Sequence, residues 1–177
     1  MVKKQLTGTL ICDYVLVEKS DESLDLYNKS RFGSLSQTND LHLSFFEALF
    51  LMDKGKLLVN DKRGKTYDKE RFIRKISRKD KSFWTRYCVF SNLRTRGYIV
   101  KTALKFGADF RVYDRGVKPG EDHAKWVVFP VHEATVLTWH DFSAKNRVAH
   151  STKKRLMIAV VDDESDVTYY EVAWKRP

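Results

Sequence analysis

The sequence predicts an α/β protein in two domains, residues 1–82 and 83–177. Three observations lead there. Strand-like runs rich in β-branched and aromatic residues occur near both ends, and apolar helical stretches with start and stop signals lie between them. Near residue 82 a highly charged helical segment gives way to a strand-rich half. The chain has 177 residues, 42% of them hydrophobic and 13% aromatic, which is enough to enclose a core in each part.

Residues 5–18, QLTGTLICDYVLVE, read as two short strands broken by Gly8 and Asp13. Residues 41–52, LHLSFFEALFLM, read as a buried helix. Ser44 and Glu47 have capping-box spacing, and Gly55 ends the run. Residues 56–60 follow as a strand, and the charged stretch 61–81 offers only Phe72, Ile73 and Ile76 as a narrow apolar face. Residues 83–93 return to helix, stopped by Gly97. Strands are expected over 98–102, 109–113 and 126–131, then a helix over 139–150. Two last strands, 156–161 and 167–174, are joined by an acidic turn at 162–166. Alternation along 109–113 puts Phe110 and Val112 on one face, with Asp109, Arg111 and Tyr113 on a polar one.

Lys and Arg number 33 against 23 Asp and Glu, giving a net charge of +10, which favours a polyanionic partner. Residues 1–82 hold 17 basic and 12 acidic side chains and the remainder 16 and 11. Overall charge therefore does not say which part meets the partner; local clustering must. Cys12 and Cys88 lie far apart, so neither a disulfide framework nor a zinc site is expected. With no signal-peptide pattern and no apolar run near the ~20 residues of a membrane span, the chain reads as cytoplasmic and away from membranes.

Chemistry concentrates in residues 93–123, LRTRGYIVKTALKFGADFRVYDRGVKPGEDH, and in 151–155, STKKR. Tyr113 ends a strand. His123 closes a loop holding Gly116, Pro119 and Gly120, where an imidazole stays free to exchange protons near neutrality. Arg94 and Arg96 suit a helix C-terminus, where they offset the macrodipole. Residues 145–155, KNRVAHSTKKR, carry five cations and no acid, the best local stretch for tracking phosphates. A phenol, an imidazole and an ammonium can move two protons and stabilise an anionic phosphorane, which suits metal-free RNA cleavage by the substrate's own 2′-hydroxyl. A metal-dependent nuclease needs a carboxylate ahead of its lysine; here His123 precedes Ala124 and Lys125, and Asp109 alone makes no site. No metal or cofactor is expected.

Together these residues resemble the archaeal tRNA-splicing endonucleases. The family's K-x-G-x-K-F-G-x-D-F-x-x-Y and G-x-x-P-x-x-x-H runs stand within 93–123, with Ala103 where the family usually has glycine. V-A-H-S-x-x-K stands at 148–154, D-V-T-Y-Y at 166–170, and an L-S-x-x-E-A-L-F-L helix at 43–51. The resemblance implies an N-terminal α+β domain followed by an α/β nuclease domain with helices on a mixed sheet. It implies cleavage of precursor tRNA, and other intron-bearing RNA, at both edges of an intron held in a bulge-helix-bulge. The ends would be a 2′,3′-cyclic phosphate and a 5′-hydroxyl.

Carried over by motif, Tyr113 takes the general-base role, His123 the general-acid role, and Lys154 stabilises the transition state. Arg147 and Trp174, with Lys175 as alternative, would hold a flipped bulge base. Asp163 and Asp166, in the acidic turn, would dock into a second dimer. The implied assembly is a homotetramer, a dimer of dimers. Its alternatives are a catalytic subunit that needs a separate structural chain, or a non-catalytic RNA-binding subunit.

Overall fold

A computed structural model describes residues 5–103, 107–117, 120 and 123–173. The chain divides into two compact units, Met1–Lys81 and Ser82–Pro177. In chain order the first unit contains β1 (Leu6–Leu10), β2 (Val15–Val17), α1 (Asp21–Asn28), β3 (Ser34–Leu35), β4 (Leu41–Leu43), α2 (Phe45–Asp53), β5 (Leu57–Asn60), β6 (Thr66–Tyr67) and α3 (Lys69–Ser77). Its sheet runs β3-β4-β2-β1-β5-β6, antiparallel except for the β1–β5 pair.

Gly8 lies inside β1 rather than breaking it. A Cβ there would sit 2.7 Å from Val15 Cγ1, so the strand needs glycine for its close approach to β2. Asp13 does fall in the turn between the two strands. Leu41–Leu43, expected as the start of a helix, is a strand that buries Leu41 and Leu43. The helix begins only after Ser44.

The capping box over residues 44–47 is present in both directions, with Ser44 Oγ accepting from Glu47 N and the Glu47 carboxylate accepting from Ser44 N. Glu47 is also 5% exposed, and its other oxygen accepts from Gly33 N at 2.8 Å. One buried carboxylate thus starts α2 and ties down the loop before β3. At the other end of the helix Gly55, φ +64°, closes a Schellman turn: Gly55 N donates to Met52 O and Lys56 N to Leu51 O.

The second unit contains α4 (Phe83–Thr95), β7 (Ile99–Thr102), β8 (Phe110–Tyr113), β9 (Trp126–His132), α5 (Trp139–Ser151), β10 (Arg155–Val161) and β11 (Val167–Val172). Its sheet runs β11-β10-β9-β8-β7. β9 and β10 are parallel, joined through α5, and the remaining pairs are antiparallel, so the sheet is mixed. The whole chain is α/β, as expected.

Helices cover both faces of this sheet. Phe90 of α4 meets Phe110 at 6.0 Å between ring centroids, and Phe110 stands opposite Val128 on the same face. Val127, Phe129 and Leu156 face the other way and cluster with Ala149 of α5. That two-sided cover explains the unbroken apolar run at the start of β9. It also corrects the expectation for Tyr113, which does not lie on a polar face. Tyr113 is 4% exposed and packs with Ile99 and Ala124, so it belongs to the core. Ala103 likewise puts its methyl into the cluster around Val127.

Glu47→Ala is expected to lower the stability of the first unit by roughly 2–4 kcal/mol, because it removes half of the capping box and the acceptor of two part-buried backbone donors. Glu47→Gln, which keeps an acceptor for Gly33, should lose less. Urea unfolding of the two variants checks this; equal midpoints for Ala and parent would refute it.

Candidate active site

Strand register brings Tyr113 and Lys154, two of the three sequence-predicted catalytic residues, to one end of the sheet. β8 runs antiparallel to β9, pairing Val112 with Trp126, and β9 runs parallel to β10, pairing Trp126 with Arg155. One step further the row reads Tyr113, Lys125, Lys154. It is fastened by Lys125 N donating to Val112 O (2.9 Å) and Arg155 N donating to Lys125 O (3.0 Å). With strands ~4.8 Å apart, Tyr113 and Lys154 stand about 10 Å from each other across Lys125. His123 lies two residues before Lys125 on the approach to β9 and is exposed.

Lys154 owes its position to the way α5 ends. Lys153 N donates to His150 O and Lys154 N to Ala149 O, a Schellman turn that swings the chain directly into β10. α4 ends in the same way, with Gly97 at φ +90°. At α5, however, the left-handed residue is Lys153, φ +53°. A side chain there costs about 1–2 kcal/mol that glycine would avoid, so backbone strain is stored beside the lysine. The Lys154 ammonium donates to Thr152 O at 3.0 Å.

Charge is dense around this row. Lys125 Nζ meets Asp114 at 2.9 Å and lies 4.4 Å from the centre of the Trp126 ring. The Arg111 guanidinium is 6.0 Å from the Tyr113 ring, so these two share a strand face as alternation predicts. Glu171 on β11 accepts from Trp126 Nε1 at 2.7 Å and pairs with Arg155 at 3.0 Å. The Trp126 hydrogen bond first, and the Arg155 charge after it, hold the Glu171 carboxyl below the usual carboxylate range. A cleft beside the row is lined by His150, Lys154, Arg155, Glu171 and Val172 among others; Tyr113 and His123 are not in its described walls. A row of this kind can hold a phosphodiester among cations while a phenol and an imidazole exchange protons with it.

Comparison with known proteins decides the family. The model of the tRNA intron endonuclease catalytic C-terminal domain matches residues 83–169, and that of the tRNA intron endonuclease N-terminal domain matches residues 6–73. The chain belongs to the tRNA intron endonuclease family. The tRNA-splicing endonuclease of Nanoarchaeum equitans is 43% identical over 152 residues, covering 82% of this chain and 97% of the relative. That of Methanothermobacter thermautotrophicus is 38% identical over 173 residues, covering 98% and 99%. That of Thermococcus onnurineus is 39% identical over 175 residues, covering 99% of each chain.

Of the other residues expected to work in a tRNA intron endonuclease, those described lie outside the row. Arg147 is exposed on α5, in a groove with Trp139, Phe142 and His150. Trp174 and Lys175 lie outside the described residues, as do Lys105, Phe106 and Pro119 of the quoted motifs. Asp163 pairs with His132 at 3.3 Å, and Asp166 N donates to Asp162 Oδ1 at 2.8 Å inside the turn. His42 stacks on Tyr14 within the first unit. Arg94 donates to Tyr98 O, just past the end of α4.

Among the described residues no group of His, Cys, Asp or Glu could hold a metal ion, and no helix is long and apolar enough to cross a membrane. Sequence reasoning missed Lys125 as part of the row and Glu171 as the partner of Trp126. Counting the register back from the apolar run at residue 126 would have found Lys125; Glu171 carries no local signal.

Lys153→Gly should stabilise the second unit by about 0.5–1 kcal/mol, since relief of the left-handed strain outweighs the added freedom of the unfolded chain. Lys153→Ala, with a Cβ in the same conformation, should not. Thermal unfolding of both variants is the check, and equal midpoints would remove strain from the account.

Proposed function

We propose that the protein cuts precursor tRNA at both intron boundaries, presented in a bulge-helix-bulge, without a metal ion. Tyr113, as the phenolate, accepts the proton of the 2′-hydroxyl as O2′ bonds to phosphorus. His123 gives a proton to the 5′-oxygen as the P–O5′ bond breaks, leaving a 2′,3′-cyclic phosphate and a 5′-hydroxyl. Lys154 holds the charge that builds on the phosphorane oxygens, a contribution of several kcal/mol in a partly dry site. The observation carrying this reading is the flush row of Tyr113, Lys125 and Lys154 at one sheet end, with His123 two residues away. The names of the relatives supply the substrate: each of the three is a tRNA-splicing endonuclease.

The bulge base is held, on this reading, between Arg147 and Trp174. A homotetramer built as a dimer of dimers supplies two active centres for two splice sites. β11 supports self-pairing, being an edge strand of its sheet with Tyr170 56% exposed. Asp163 and Asp166 of the acidic turn then contact the second dimer.

Incubating the purified chain with a bulge-helix-bulge RNA in excess EDTA tests the proposal. Cleavage at both junctions with cyclic phosphate ends is expected. His123→Ala should cut roughly 10²–10⁴-fold more slowly with RNA affinity kept, and Tyr113→Phe, which retains the buried ring, should behave alike. Parent-rate cleavage by His123→Ala, or a strict requirement for Mg²⁺, would overturn it.

A further inference from the structure

The first unit carries a basic surface that the cleavage chemistry does not use. Residues 61–81 hold ten cationic and four acidic side chains, whereas residues 1–60 hold seven and eight. All of the unit's positive excess is therefore in one segment.

Much of the acid in that segment is already engaged. Asp61 accepts from the backbone N–H of Arg63 and of Lys65, and Asp68 caps α3 by accepting from Arg71 N at 2.7 Å. Phe72 and Ile76 point α3 into the core. Arg71, Arg74, Lys75 and Arg78, at i, i+3, i+4 and i+7, fall within roughly 100° of arc on another side and span about 10 Å. Arg71 and Lys75 lie 4.7 and 5.6 Å from the ring of Tyr67 in β6. The Lys65 backbone N–H first, then that of Arg63 and after them the Arg71 charge, hold the Asp61 carboxyl below the usual range. Lys62, Arg63 and Lys65 on the β5–β6 turn are exposed, and the turn leads into β6, whose Tyr67 ring carries Arg71 and Lys75.

We propose that this face of the first unit binds the phosphate backbone of duplex RNA, giving the enzyme a second hold on its substrate. The inference rests on precursor tRNA being that substrate. A track of cations on two elements suits a polyphosphate, which presents charge at every nucleotide. The chain's own acidic turn at 162–166 is a poorer match: it has four acids, of which Asp162 accepts from Asp166 N and Asp163 faces His132.

The test compares two triple variants in a His123→Ala background, binding a precursor tRNA transcript across a salt series. Arg74→Gln/Lys75→Gln/Arg78→Gln should bind at least tenfold more weakly at low salt. Its plot of log affinity against log salt should be shallower by about 2, from roughly 0.7–0.9 for each phosphate no longer neutralised. Lys19→Gln/Lys54→Gln/Lys56→Gln, which removes the same charge from exposed positions of the same unit, should stay within twofold of the parent. The turn triple Lys62→Gln/Arg63→Gln/Lys65→Gln repeats the test without touching the helix.

Equal losses from patch and control triples, or no loss from either patch triple, overturn the proposal. So does a patch triple that changes the oligomeric state in light scattering, which would make the face a protein contact. Failure of the unsubstituted protein to cut RNA in EDTA reads the cleavage proposal separately, and a loss confined to the patch triples stands whatever that result.

Discussion

Two backbone hydrogen bonds, from Lys125 N to Val112 O and from Arg155 N to Lys125 O, fix the relative heights of three chain segments that are distant in sequence. The first belongs to an antiparallel ladder and the second to a parallel one, so the end of β8 and the beginnings of β9 and β10 meet at the same edge. Side chains alternate across a sheet, and a slip of one residue would turn every group in the row to the opposite face. The register is protected against such a slip because both faces are buried. Phe110 and Val128 pack toward α4, while Val127 and Phe129 pack toward α5. Core packing and site geometry are thus one constraint.

Local signals are legible in the sequence. The capping box at Ser44 and Glu47 and the helix stop at Gly97 depend on residues within a few positions of each other, and both are present in the fold. Features set by distant partners are not legible. Three apolar-polar-apolar residues such as Leu41–Leu43 fit a helix or a strand equally well, and only pairing with β2 and β3 decides for strand. Alternation assigns Tyr113 a polar face, but it says nothing about Ile99, Ala124 and Val117, which pack around the ring. The left-handed Lys153 cannot be read because the usual glycine signal is absent and a cationic run stands in its place. The family resemblance reaches further than periodicity. Its motifs name Tyr113, His123 and Lys154 together, and register then shows why segments so far apart share one edge.

Electrostatics are organised differently in the two units. In the second, cations near the row are interleaved with acids that hold them still, Lys125 with Asp114 and Arg155 with Glu171. In the first, two of the four acids beside the stripe on α3, Asp61 and Asp68, are committed to backbone donors, which leaves more of its charge to a partner. Fixed charge suits stabilising one geometry; available charge suits gripping a long polymer.

The unequal burial of the three candidate catalytic residues has an evolutionary consequence. Tyr113 is inside the core, whereas His123 is exposed and Lys154 only partly covered. A duplicated gene copy released from selection for cutting could replace His123 or Lys154 at little cost to folding, but replacing the ring at 113 would open a cavity. Decay in such a copy should therefore begin with the imidazole and the ammonium, and the aromatic ring should persist longest as a relic of chemistry its chain no longer performs.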